Sequence, residues 1–204
     1  MWLAVSTRPD LSFTVGQLAK FSSAPTLDHW VAVKRIFRYL KGTINLSLTF
    51  RCQTPTKFRL LGYSDSDWAG SETRKSTGGF IFKIGDNPIC WKSTVHRSIC
   101  LSSVEAETVF LSKTAQEGKW LIRVIQSMNR GPAVSLPVSL HTDSRGALAI
   151  AKNNHVSSRT KHIEITDLYV RQAVEDGVFH ITHLDTRDMP ADVFTKPLSH
   201  FVLS

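Results

Sequence analysis

Phe58-Arg59-Leu60-Leu61-Gly62-Tyr63-Ser64 reads as a β-strand, and it ends at a carboxylate, Asp65. Gly79-Phe80-Ile81-Phe82-Lys83-Ile84 reads as a second strand, turning through Gly85-Asp86-Asn87-Pro88 into a third at Ile89-Cys90-Trp91. A turn that short pairs its strands antiparallel. A long helix is expected from about residue 103 to 128. Ser102 and Glu105 have capping-box spacing, and Val104, Thr108, Leu111, Ala115, Ile122 and Ile125 recur on one side. Residues 137–142 form a strand entering Asp143, and 145–151 a short helix. Residues 161–176 are helical up to Gly177, 178–184 are a fifth strand, and Pro190 opens a last helix. Three β-runs followed by helix, strand, helix, strand, helix specify an α/β fold with a mixed sheet covered by helices.

Upstream, Arg51-Cys52-Gln53-Thr54-Pro55-Thr56-Lys57 is polar, carries a proline and lacks periodicity, so 51–57 is read as a linker. Before it lies a small helical segment. Pro9 suits a first turn, with Leu11, Val15, Leu18 and Ala19 at helical spacing to about Phe21. A second helix begins after Pro25, capped by Thr26 or Asp28 and stopped by Gly42. Trp30, Val33, Phe37 and Leu40 make one stripe on it, while Lys34, Arg35, Arg38 and Lys41 occupy much of the remainder. A basic face of this kind can track a phosphate backbone, or simply be solvated. Leu46-Ser47-Leu48-Thr49-Phe50 alternates as a short strand does.

The 204 residues are 42% hydrophobic and 21% charged, a globular composition. Three cysteines without CxxC spacing support neither a disulfide framework nor a thiolate zinc site. No apolar run reaches the ~18–20 residues of a membrane span. The opening Met1-Trp2-Leu3-Ala4-Val5 does not resemble a signal peptide. An intracellular protein, cytoplasmic or nuclear, is therefore expected, with no membrane partner. Lys and Arg total 25 against 17 Asp and Glu, a net +8. That balance favours a polyanionic partner, nucleic acid first and an acidic membrane surface second; an ordinary basic surface is the alternative.

The acids at element ends carry the chemistry. Asp65 and Asp143 each follow an apolar strand, where open α/β sheets build their sites, and Asp192 lies in the first turn of the last helix. On the long helix, Glu107 lies roughly 60° from the Val104–Leu111–Ala115 direction and Glu105 roughly 100° away, so Glu107 is nearer the sheet. Glu105 is explained as a capping residue. Four converging carboxylates in a basic protein invite hard divalent cations, and a pair of such ions can clamp an in-line phosphoryl displacement. The alternative is two turn aspartates, a helix-start charge and a snorkelling glutamate.

At these residues the chain resembles a known family. Gly62-Tyr63-Ser64-Asp65-Ser66-Asp67-Trp68-Ala69-Gly70 and Arg74-Lys75-Ser76-Thr77-Gly78-Gly79 look like the opening of the ribonuclease H domain of Ty1/copia-type retrotransposon Pol polyproteins. Leu101-Ser102-Ser103-Val104-Glu105-Ala106-Glu107, Thr142-Asp143-Ser144, Ser158-Arg159-Thr160-Lys161-His162-Ile163 and Ala191-Asp192-Val193-Phe194-Thr195-Lys196-Pro197-Leu198 follow in order. Upstream, Thr7-Arg8-Pro9-Asp10-Leu11-Ser12-Phe13 and His29-Trp30 through Arg38-Tyr39-Leu40-Lys41-Gly42-Thr43 resemble the thumb and connection region of the same polyprotein's reverse transcriptase. The resemblance implies a thumb/connection remnant over 1–50, a ribonuclease H-like five-stranded domain over 58–198 and a tail over 199–204.

It further implies endonucleolytic cleavage of the RNA strand of an RNA–DNA hybrid with Mg²⁺, two ions, or Mn²⁺, held by Asp65, Glu107, Asp143 and Asp192 as the catalytic acids. Lys75, Arg159, Lys161, His162, Lys34 and Arg38 are its expected nucleic-acid contacts, and a reverse transcriptase palm from the same or another polyprotein is an expected partner. Nothing in the chain resembles the paired-aspartate motif of that palm.

The family usually continues after Ile165 with Arg-Tyr-His-Phe, where this chain has Thr166-Asp167-Leu168-Tyr169. That departure and the absent polymerase leave a second reading, an inactive nucleic-acid-binding remnant, and a third, a domesticated interaction protein. His183 precedes Asp192 either as a site histidine or as a plain strand residue. His29, His96, His141, His155, His180 and His200 are read as structural or exposed. Trp68, Trp91 and Trp120 are read as packing residues before stacking ones.

Overall fold

A computed structural model describes residues 1–51, 57–71, 73–128, 133–152 and 161–197. At 57, 133, 161–165 and 167 it describes the backbone alone. The N-terminal segment carries α1 (Trp2–Ser6), a 3-10 turn (Pro9–Leu11), α2 (Ser12–Ala19) and α3 (Leu27–Gly42). The rest runs β1 (Lys57–Phe58), β2 (Leu60–Asp67), β3 (Thr77–Ile84), β4 (Asn87–Val95), α4 (Ser103–Ser127), β5 (Ala133–Val134), β6 (Val138–Thr142), α5 (Arg145–Lys152), α6 (Lys161–Glu175) and β7 (Phe179–His183). Two 3-10 turns, Thr186–Asp188 and Pro190–Phe194, close it.

Five strands form one mixed sheet in the order β4-β3-β2-β6-β7, and β1 and β5 make a separate two-stranded pair. β2, β3 and β4 are antiparallel, as the short turn between β3 and β4 requires. β6 and β7 add on parallel to β2, each after a helical connection. α4 covers the sheet, burying Phe110, Leu111, Ala115, Leu121 and Ile122 against Leu60, Phe82, Leu140, Phe179 and Ile181. Its N-terminus is capped as expected: the Glu105 N–H donates to Ser102 Oγ at 3.1 Å, while the Glu105 carboxylate reaches back to the Leu101 N–H at 2.6 Å.

Two glycines on β3 let other elements close on the sheet. A Cβ at Gly78 would lie 2.0 Å from the Phe110 ring, and one at Gly79 would lie 2.3 Å from Phe194 Cβ. Their bare backbone thus seats α4 on one side and the last 3-10 turn on the other.

Four expectations are corrected. The first strand is interrupted at Arg59 and β2 runs on to Asp67, so Asp65 lies inside the strand, paired with Gly79, because β3 continues the ladder past it to Thr77. Residues 46–50 are not a strand: their apolar alternation meets no sheet edge, Leu46 and Phe50 stay exposed, and the Arg51 N–H and carbonyl bond the Asn87 side chain at 2.8 and 3.0 Å. The last helix is a five-residue 3-10 turn, because Pro190 starts it but Phe194 must fold onto Gly79. The first expected helix is split at Ser12, whose hydroxyl donates to the Ala4 carbonyl at 2.7 Å, and α1 precedes it. The N-terminal segment rests on β4, where the Trp91 indole N–H donates to the Ala4 carbonyl at 2.8 Å.

Candidate active site

Strand register brings the first two acids together. Ser64 on β2 pairs with Thr142 on the parallel β6, so Asp65 and Asp143 are each one step further on neighbouring strands. Such strands lie about 4.8 Å apart. Glu107 comes from the second turn of α4, on the face turned to β2, and is 7% exposed, with Asp65 at 6%. One carboxylate oxygen from each of Asp65, Glu107 and Asp143 lies within 4.8 Å of the others. Asp192 is set beside this triad by the Pro190–Phe194 turn but outside the cluster; its Oδ2 is ion-paired with Lys196 Nζ at 2.7 Å.

Each acid is oriented by a group that no periodicity in the sequence marks. The Thr195 hydroxyl donates to Asp65 Oδ2, the Ser66 N–H donates to Glu107 Oε1 at 3.2 Å, and the Thr186 hydroxyl donates to Asp143 Oδ2 at 2.6 Å. Thr195 and Asp65 are 130 residues apart, so only the closed fold pairs them. Among the described residues, the buried Glu107 Oε2 and Asp192 Oδ1 have no hydrogen-bond partner.

Crowding of buried acids raises their proton affinity. Burial pushes the Asp65 carboxyl up to about 7, with repulsion from Asp192 and Asp143 adding to it and the Thr195 hydrogen bond opposing it. Burial likewise pushes Glu107 up to about 9, again aided by Asp65 and Asp143. Such a cluster costs free energy unless protons or a cation neutralise it. The unpartnered oxygens and the all-carboxylate donor set fit a hard divalent cation of the Mg²⁺ or Mn²⁺ type.

The other expected contacts are more dispersed. Lys75 is half-buried in the turn after β2, its backbone tied to the Ser71 hydroxyl. Arg159 lies outside the described residues, and Lys161 and His162 are described only as the first two backbone positions of α6. Lys34 and Arg38 are exposed on α3. Arg38 and its neighbour Arg35 line a cavity of about 860 Å³ that Lys196 also lines; Lys34 does not line it. Asp10 also lines that cavity, but its carboxylate is held by Arg8 at 2.8 Å. His183 is exposed at the end of β7, opposite Thr142.

No protein-family model matches the chain. A Pol polyprotein from transposon RE2 of Arabidopsis thaliana is 37% identical over 194 residues, 95% of this chain and 13% of that protein. The Ty1-NL2 Gag-Pol polyprotein of Saccharomyces cerevisiae is 27% identical over 194 residues, 94% of this chain and 11% of its own length. A secreted RxLR effector protein 161 of Plasmopara viticola is 46% identical over 122 residues, 59% of this chain and 84% of the effector. Among solved structures, LC11-RNase H1, isolated from compost by a metagenomic approach, superposes with a TM-score of 0.50 at 13% identity, over 67% of this chain and 92% of the other. The five-stranded sheet and its helices therefore have the ribonuclease H fold. Similar to the RE2 polyprotein along nearly its whole length, and spanning about an eighth of it, the chain belongs to the retrovirus-related Pol polyproteins of Ty1/copia-type transposons.

Proposed function

We propose that residues 58–198 act as a metal-dependent ribonuclease H that cleaves the RNA strand of an RNA–DNA hybrid, with 1–50 a reverse transcriptase thumb or connection remnant, 51–57 a linker and 199–204 a tail. One observation carries the reading: three carboxylates from two parallel strands and a helix meet within 4.8 Å, two of them buried, in a chain of net charge +8. Asp65, Glu107 and Asp143 would hold Mg²⁺ or Mn²⁺, and Asp192 would join them on leaving Lys196. When bound, the cation makes water a nucleophile at neutral pH and offsets charge on the phosphate. Thr195, the Ser66 N–H and Thr186 hold the acids in place before substrate arrives, which lowers the reorganisation needed for reaction.

Hybrid is recognised by shape, phosphates and ribose 2′-hydroxyls. Arg35 and Arg38, which line one cavity together with Lys196, carry the phosphate backbone from the acids onto α3. Apolar side chains of α1, α2 and α3 line a cavity of about 990 Å³, with Trp2 and Trp30 exposed; the longer Pol relatives favour a polymerase body as its partner. No described helix is long and apolar enough to cross a membrane.

A second reading, a remnant that binds hybrid without turnover, is favoured by Asp192, which stands outside the triad and is paired with Lys196. Incubation of a labelled hybrid with Mg²⁺ separates the two. Cleavage that disappears in Asp65→Asn supports the nuclease. Binding without cleavage in the wild type supports the remnant, and cleavage unchanged by the substitution rejects the site.

A further inference from the structure

His96 lies just past β4 and is 2% exposed, although no step of the proposed reaction uses it. Its ring sits where three elements meet. Nε2 is 3.4 Å from Ser66 Oγ on β2, Nδ1 is 3.4 Å from Cys100 Sγ, and the ring stacks on Phe110 of α4 with centroids 5.6 Å apart. Its backbone N–H donates to the Ser76 carbonyl at 2.8 Å, which anchors the main chain of His96 beside the residues that lead into β3. Ser66 follows Asp65 directly and gives its N–H to Glu107; Phe110 is one helical turn from Glu107.

We infer that His96 is a positioning residue of the acidic site, tying the strand that carries Asp65 to the helix that carries Glu107. The inference rests on the metal-centre reading above. Simple space-filling would be served by an apolar side chain, since burying an imidazole costs free energy unless both nitrogens are satisfied. Here both have partners. Cys100, 3% exposed, remains a thiol because burial pushes its pKa up. With the Cys100 S–H donating to Nδ1, Nε2–H is left to donate to Ser66 Oγ, and this is the tautomer the inference requires. Burial, with the charge of Lys113 adding, lowers the His96 pKa to about 4, so the neutral ring keeps this pattern across the neutral range. The groups around the ring are then Ser66, Cys100 and Phe110, with the Lys113 charge nearby. His96 touches no reacting atom; it acts through Ser66 and Phe110.

Mn²⁺ binding to the full chain, measured by calorimetry, tests the role without relying on turnover. His96→Gln keeps a donor and an acceptor and is expected to hold the dissociation constant within about threefold of wild type. His96→Phe keeps the packing but loses both polar contacts, and is expected to weaken Mn²⁺ about tenfold or more, as loss of outer-layer support does at metal sites. A folded His96→Phe chain that binds Mn²⁺ as wild type does overturns the proposal, as does equal loss in both variants. Should His96→Phe not fold, the ring ¹⁵N spectrum of the wild type decides instead: an Nε2–H tautomer whose resonances move on Mg²⁺ addition is expected, and resonances unmoved at saturation overturn it. A wild type that binds no Mn²⁺ sinks the metal-centre reading itself, which distinguishes the two failures.

Discussion

α3 and α4 carry comparable amphipathic stripes and meet opposite fates. Eleven residues of α4 are buried, including Glu107, whereas no residue of α3 is, and Trp30 and Phe37 on its apolar stripe are 57% and 65% exposed. The difference lies in what faces them. α4 has a five-stranded sheet whose glycine at 78 admits the close approach of Phe110, while α3 has α2 beside it and lines two open cavities. An apolar stripe supplies the drive to bury surface; stabilisation needs a matching surface to bury against.

The comparison is most easily broken by truncating one aromatic on each helix. Phe110→Ala is expected to cost about 3–5 kcal/mol in urea unfolding, and Phe37→Ala no more than about 0.5 kcal/mol. Equal costs would mean that α3 is part of the same core. The acids should behave in the reverse sense to the core around them. Asp65 and Glu107 have pKa values raised above those of the unfolded chain, so the metal-free fold binds their protons more tightly. Their contribution to stability should be fully present below about pH 4 and be lost as pH rises through about 7 for Asp65 and 9 for Glu107. Glu107→Gln should accordingly stabilise the metal-free chain at pH 8 by about 1–2 kcal/mol, while Mg²⁺ should stabilise the wild type and not this variant. A thermal-melt series in which the gap between wild type and Glu107→Gln does not change from pH 4 to pH 9 would refute the crowding.

Charge rather than burial should be what the N-terminal region contributes. Arg35→Ala with Arg38→Ala is expected to leave the melting temperature unchanged, weaken hybrid binding about fivefold and reduce the salt slope of log affinity by about 2. A slope equal to wild type would remove α3 from the substrate path. The smallest effect sharpens the same contrast: a Cβ at Gly42 meets nothing within 4 Å, so Gly42→Ala should add about 0.5 kcal/mol, whereas Gly78→Ala must displace the Phe110 ring.

Much of the candidate site was legible beforehand because it sits where local rules are strict. Helix caps announce themselves, and the 3.6-residue period singled out Glu107 over Glu105, which proved to be the residue facing β2. The elements that escaped were those held by distant partners. β1 and β5 are two residues each and exist only as a pair. α1 is five residues, too short for a periodic signal, and is fastened by Ser12 and Trp91. Residues 46–50 show the converse, an alternating pattern with no edge to join. His96 escaped for the same reason: its neighbours Ser66 and Phe110 are 30 and 14 positions away.

Sequence by itself determined the succession of the longer strands and helices, the four acids as candidates and the net charge of +8, because each follows from neighbours along the chain or from a simple sum of charges. Only the tertiary structure decided that Thr195 meets Asp65, that Asp192 pairs with Lys196 beside the triad, and that α3 keeps its apolar face uncovered. Those outcomes depend on which surfaces close on one another, and packing at that distance leaves no period in the sequence.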